Sequence, residues 1–126
     1  MFLTMYSYIP VLDYMRKTYG PEIGYGRHRV VFRDGDYVYK VPLSLEGVDD
    51  NYREASGPEW SDDPEKFADC VIISCLGVDV LLMEYVEHAG WPSEPCPPEL
   101  EWTWYIDCGQ VGYTKDGRLV AYDWGY

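Results

Sequence analysis

With 126 residues the chain has room for one compact domain, since domains commonly run to about 100–150 residues around a single core. Its 47% hydrophobic and 17% aromatic content excludes an intrinsically disordered polymer. Twenty-two acids against ten bases leave a net charge of −12, which disfavours nucleic acid, anionic lipid and other polyanions as ligands and favours a basic or nucleic-acid-binding protein as partner. Acidity on this scale also serves solubility alone.

Residues Met1 to Pro10 hold no Lys or Arg and no long apolar run, so neither a secretory signal nor a membrane span is expected. Cys70, Cys75, Cys96 and Cys108 form no Cys-x-x-Cys pair, and His28 and His88 do not stand at ligand spacing from them. Metal binding through these groups is not indicated, and reduced thiols in a cytoplasm are the expectation.

In chain order, Val11, Leu12, Met15 and Tyr19 recur at three- and four-residue intervals and predict a short helix over Val11–Tyr19, stopped by Gly20-Pro21. Arg29–Arg33 and Tyr37–Val41 are β-rich runs joined by Asp34-Gly35-Asp36, an Asp-Gly hairpin signal. A short helix over Asp49–Ser56 follows, capped by Asp49 or Asp50 and ended near Gly57-Pro58. Glu59, Asp62, Asp63 and Glu65, with Pro58 and Pro64 among them, predict a solvated loop. Strands Cys70–Ser74 and Val80–Tyr85 then flank Leu76-Gly77-Val78-Asp79 as a second hairpin. Residues 91–98 carry four of the nine prolines and read as a stiff linker. A brief aromatic helix over Glu99–Ile106 precedes a last hairpin, in which Tyr113 and Leu119–Tyr122 flank Lys115-Asp116-Gly117. The expected fold is α+β: an antiparallel sheet of about five strands with one or two short helices and a C-terminal β-hairpin, one domain over 1–126.

Chemistry-bearing residues fall in a recognisable order. Gly24-Tyr25-Gly26 precedes a strand, which by itself marks only a turn. It continues as Gly24-x-Gly26-x-x-Arg29-x-Val31, then a hairpin, then Val38-Tyr39-Lys40, then Glu54 on the next helix. Strand alternation puts Val38 on the face of Lys40, so an apolar surface adjoins the charged group. Standing alone, Lys40 reads equally well as an ordinary lysine on an edge strand.

This order resembles the small lobe of protein kinases. The resemblance spans residues 20–90 and 105–125 and extends to short kinase-like proteins of actinobacterial bacteriophages, through Tyr-Lys-Val-Pro, Asn51-Tyr52-x-Glu54, Met83-Glu84-Tyr85-Val86 and the terminal Asp123-Trp124-Gly125. It implies a kinase small-lobe-like sheet and helix over 20–90, the linker 91–98, and a remnant catalytic-loop and metal-hairpin region over 99–126. It also implies that Gly24, Gly26, Arg29 and Val31 cover a nucleotide, that Lys40 meets its phosphates and is held by Glu54, and that Val38, Glu84 and Val86 surround its base. Gln110 and Asp123, at the family's Asn-to-Asp interval, would hold Mg²⁺ beside ATP.

The departures from the pattern are as informative. Tyr105 stands where the family places its catalytic Asp, and a phenol with a pKa near ~10 is a poor proton acceptor; Asp107 is close but out of register. Only about twenty residues separate the hinge strand from the catalytic-loop region, too few for a helical lobe or a peptide platform. The expectation is a non-catalytic kinase-like protein of phage type that engages a host protein. Trp102, Trp104, Tyr122, Trp124 and Tyr126 are its expected interface, unless those rings pack inward as a reduced core. A second copy of the chain is the other expected partner. The competing readings are a minimal ATP/Mg²⁺-dependent phosphotransferase and an acidic mimic of nucleic acid that blocks a DNA-binding or nuclease complex.

Overall fold

Alternation of apolar residues along two hairpins builds the main sheet. The computed structural model of the chain describes residues 5–57, 63–92, 94–106 and 110–122. Strands β1 (Gly24–Tyr25), β2 (Arg29–Asp34), β3 (Tyr37–Pro42), β4 (Cys70–Cys75) and β5 (Val78–Glu84) form a five-stranded sheet in the order β1-β2-β3-β5-β4. Every pairing is antiparallel, and β3 is central, with Lys40 opposite Val31 on one side and Leu81 on the other. Lys40 is therefore on an interior strand and not on an edge.

The two faces of this sheet bury different things. Val30, Phe32, Val41, Val78 and Val80 pack against Tyr8, Val11 and Met15 of helix α1 (Met5–Tyr19). On the opposite face Val38 and Met83 pack with Ala68, Val86 and Val120. Helix α2 (Leu45–Ser56) also lies against β3, β4 and β5 and brings Glu54 to the face that carries Lys40.

Helix α1 begins well before the expected Val11, because Tyr8 extends the Val11–Met15–Tyr19 stripe by one more turn. Tyr8 is 1% exposed. Pro10 inside the helix removes one backbone donor, and the Tyr8 ring packs in the core with its hydroxyl buried and without a hydrogen-bond partner among the described residues. Helix α2 also starts early. Its cap is Ser44, whose hydroxyl accepts from the Gly47 amide at 3.3 Å, and not Asp49 or Asp50.

The expected C-terminal hairpin is present as β7 (Val111–Tyr113) and β8 (Leu119–Ala121), and β6 (Glu87–His88) adds a third strand in the order β6-β7-β8. Phe67 bridges to Ala121, and the Ala68 amide donates to the Ala121 carbonyl at 3.0 Å. Beneath lie Phe67, Ile106, Val111 and Ala121. Pro98–Tyr105 forms a 3₁₀ helix, and Pro64–Lys66 makes a short 3₁₀ turn within the expected acidic loop. Pro58, Glu59 and Asp62 of that loop lie outside the described residues. Among the described residues no helix is long and apolar enough to cross a membrane.

Two local features are open to direct test. The β4–β5 turn is a two-residue one, Leu76-Gly77, and both residues sit at positive φ, +51° and +82°. Leu76 is an exposed side chain in the left-handed region, which costs roughly 1–2 kcal/mol for a residue with a Cβ. Leu76→Asn is expected to stabilise the chain by about 0.5–1 kcal/mol in urea denaturation, because Asn-Gly suits this turn. Gly47 is the reverse case: a Cβ there would run into the His28 carbonyl. Gly47→Ala is expected to destabilise by about 1–3 kcal/mol in the same assay.

Candidate functional site

Three side chains converge beneath the N-terminal end of β2. Glu54, 1% exposed, is paired through Oε1 with Lys40 Nζ at 2.7 Å and through Oε2 with the Arg29 guanidinium. Lys40 and Arg29 are themselves 4% and 8% exposed. Burial alone would raise the Glu54 pKa; the charges of Lys40 and then Arg29, with their hydrogen bonds, outweigh it and hold the carboxyl below its ordinary 4.5.

Asn51, one helical turn before Glu54, fastens the group. Its Nδ2 donates to the backbone carbonyls of Lys40 and Asp79, each at 3.1 Å, and its Oδ1 accepts from Arg29 at 3.1 Å. One side chain thus ties α2 to β3 and β5 and orients a cation. Residue 51 stands at i−3 from Glu54, hence on the same helix face, a signal that the periodicity offered and that composition did not. Cys70 donates to the Glu54 carbonyl at 3.3 Å; burial, then the Glu54 charge, push its thiol up to about 11, which makes it unreactive near neutrality.

Lys40 Nζ has a second acceptor: the backbone carbonyl of Tyr122, 82 residues away in sequence, at 2.6 Å. The Tyr122 ring packs on the apolar group of Val38, Met83, Val86 and Val120, and its hydroxyl lies 2.6 Å from His88 Nδ1. Above the ion pair a cleft of about 570 Å³ opens between Gly26, Arg27, His28, Lys40, Asp50 and Gln110. Burial pushes the Asp50 carboxyl up, against the pull of Arg29, His28 and Arg53.

The nucleotide-site candidates divide into two groups. Gly26, Arg29, Val31, Lys40 and Gln110 line the cleft, with Glu54 beneath them. Val38 and Val86 do not: they are 4% and 8% exposed within the apolar group that Tyr122 covers. Glu84 is also engaged elsewhere, its Oε2 accepting from Arg118 at 2.8 Å and its amide donating to the Asp69 carbonyl at 3.0 Å. Gly24 is paired opposite Val31, and the Gly26 amide closes the turn on the Arg29 carbonyl at 2.8 Å instead of facing the cleft. Arg29 points inward to Glu54 and Asn51. Asp123, the other expected metal ligand, lies outside the described residues, as do Asp107 and the Tyr105 side chain.

The expected aromatic interface is divided as well. Trp102 is half-buried against the Phe67–Ala121 group with Lys66 Nζ 5.6 Å from its ring, Tyr122 is half-buried as described, and Trp104 is exposed. Trp124 and Tyr126 lie outside the described residues. Among the described residues no three His, Cys, Asp or Glu side chains are grouped to hold a metal ion. Comparison of the chain with protein-family models, with curated proteins and with solved structures finds no match.

Removing one partner of a buried pair leaves uncompensated charge, at a cost of about 3–5 kcal/mol. Glu54→Gln, which strands Lys40 and Arg29, is expected to destabilise the chain by about that much at pH 7. Because the folded carboxyl titrates below its ordinary value, its stabilisation is complete above about pH 4.5 and is lost as pH falls through the lower folded pKa. The gap between wild type and Glu54→Gln in urea denaturation should therefore close below about pH 4.5; a gap that persists unchanged into stronger acid would contradict the pairing.

Proposed function

We propose that this chain is a kinase-derived, non-catalytic binding protein of phage type that acts in the cytoplasm of a bacterial host, where its acidic and aromatic surface engages and modulates a basic or nucleic-acid-binding host protein. The observation that carries the reading is the second acceptor on Lys40. The pair with Glu54 is one that the kinase pattern itself uses, but the Tyr122 backbone carbonyl takes a further N–H of the three that an ammonium offers. Phosphoryl transfer rests almost wholly on positioned charge around the phosphates, and a lysine held also by its own chain's C-terminal hairpin has less left to offer them.

Three further observations support the same reading. The Gly26 amide is spent on Arg29 within the turn. The surface that would receive a nucleotide base is filled by the chain's own residues, Val38, Met83 and Val86, under Tyr122. In the kinase-like register of the sequence, Tyr105 falls where the family would carry its base, and a phenol is a poor proton acceptor at neutral pH.

The second reading, a minimal ATP/Mg²⁺-dependent phosphotransferase, draws on one specific feature, the cleft that keeps Gly26, Arg27 and Lys40 beside Gln110. There Lys40 and Arg27 would meet the phosphates and Gln110 would offer its amide oxygen to the metal, for which the sequence pattern names Asp123 as the other ligand. The metal would neutralise phosphate charge.

Thermal unfolding with saturating ATP and Mg²⁺ separates the two. A ligand at 100 times its Kd adds about 2.7 kcal/mol to the folded state, a rise of several degrees for a chain of this size. The expected outcome is no rise, with Lys40→Met lowering Tm equally with and without nucleotide. A nucleotide-dependent rise that Lys40→Met abolishes, accompanied by ATP turnover that the same substitution removes, would select the phosphotransferase.

A further inference from the structure

Away from the Lys40 cleft, a second concavity of about 350 Å³ opens between Trp91, Pro92, Glu94 and Trp104. Trp91 follows β6 in the proline-rich stretch, and Trp104 stands on the 3₁₀ helix Pro98–Tyr105, so the fold brings together two rings separated by thirteen positions. Both are about half exposed, at 53% and 47%, in a chain that buries Phe32 and Tyr8 almost completely. Large rings left on the surface and facing one hollow are the material of a recognition site.

The charge around this hollow has one sign. Glu94 forms part of its wall, and Glu99 and Glu101 are exposed on the adjoining helix. Burial, followed by the charges of Glu101, Glu94 and Glu99, raises the thiol pKa of nearby Cys96. None of the three takes part in an ion pair among the described residues. Elsewhere the chain covers its own aromatic rings with cations: Lys66 stands over Trp102 at 5.6 Å and the Arg33 guanidinium over Tyr85 at 3.6 Å. Trp91 and Trp104 have no such cation among the described residues.

We infer that the Trp91–Trp104 notch receives an arginine side chain from a basic segment of the partner protein. The guanidinium plane stacks on an indole face while its fork of donors reaches Glu94, a combination that the compact lysine ammonium satisfies less well. A proline-rich peptide would also suit paired tryptophans, but it would leave the carboxylates unanswered. The inference rests on the binding-protein reading above and names the place and chemistry of that contact.

The test is titration of the full chain with an oligoarginine peptide at physiological salt, followed by tryptophan fluorescence and calorimetry, with oligolysine and an uncharged proline-rich peptide as controls. Oligoarginine is expected to bind more tightly than oligolysine. Trp91→Ala and Trp104→Ala should each weaken it about tenfold, as truncation of an interface anchor does, and Glu94→Gln severalfold, with cooperative thermal unfolding retained because all three positions are exposed. Oligoarginine affinity that survives in the Trp91→Ala/Trp104→Ala double variant overturns the inference and assigns the binding to diffuse surface charge. So does tighter binding of the uncharged proline-rich peptide. Either result leaves the non-catalytic reading intact, since that reading stands or falls on the nucleotide-dependent shift in Tm and the accompanying ATP turnover.

Discussion

A carboxylate removed from water must be met by charge, and Glu54 is met twice. Taking such an ion into the interior costs several kcal/mol after relaxation, and only close, hydrogen-bonded partners return it. Lys40 can supply that partner only if β3 is the central strand and α2 lies across it; Arg29 can do so only if β2 is in register beside it. Asn51 holds the arrangement at fixed spacing through two backbone carbonyls. The close approach of α2 to the His28 carbonyl, which leaves no space for a side chain at residue 47, follows from the same geometry. The position of the helix is thus set by electrostatic necessity more than by its apolar face, which is meagre: its buried residues are Gly47, Asp50, Asn51 and Glu54.

This constraint also explains the uneven character of the surface. The chain as a whole carries −12, yet the floor of its larger cleft presents Arg27, His28 and Lys40, offset by Asp50. The apolar end of the same region is closed by the chain's own side chains, with Tyr122 laid across Val38 and Val86. The Trp91–Trp104 hollow is of another kind: two half-exposed indoles beside Glu94, with Glu99 and Glu101 exposed on the adjoining helix. Cations thus gather at one concavity and carboxylates at the other.

Much of this was legible in the residues. Asp34-Gly35 announced the first hairpin, alternation put Val38 and Lys40 on one face, and the kinase-like order of motifs implied that Glu54 would hold Lys40. The boundaries were less legible for physical reasons. Ser44 took the cap of α2 because the helix had to begin early enough to seat Asn51 and Glu54 over β3, and Tyr8 carried α1 back through Pro10 because its ring had a place in the core. The inward engagement of Arg29 was not legible: it lines the cleft, as the motif would have it, and its guanidinium also pairs with Glu54 and Asn51. Glycine amides likewise looked available in the sequence, but the Gly26 amide is consumed by turn closure. Local pattern predicts which elements form; which donors remain free depends on contacts that no local window contains.

The hydrogen bond from Lys40 to the Tyr122 carbonyl has a temporal side. Its two ends are separated by 82 residues, which at about 5–20 residues per second of synthesis is a delay of roughly 4–16 s. Within that interval β3 is finished first, then α2 brings Glu54, after which the ammonium has Glu54 and water but not its final acceptor. Val38, joined by Val86 once it too has been added, lacks its cover until the last hairpin arrives to close it, which makes the interval on the ribosome a period when this chain is open to capture by other apolar surfaces.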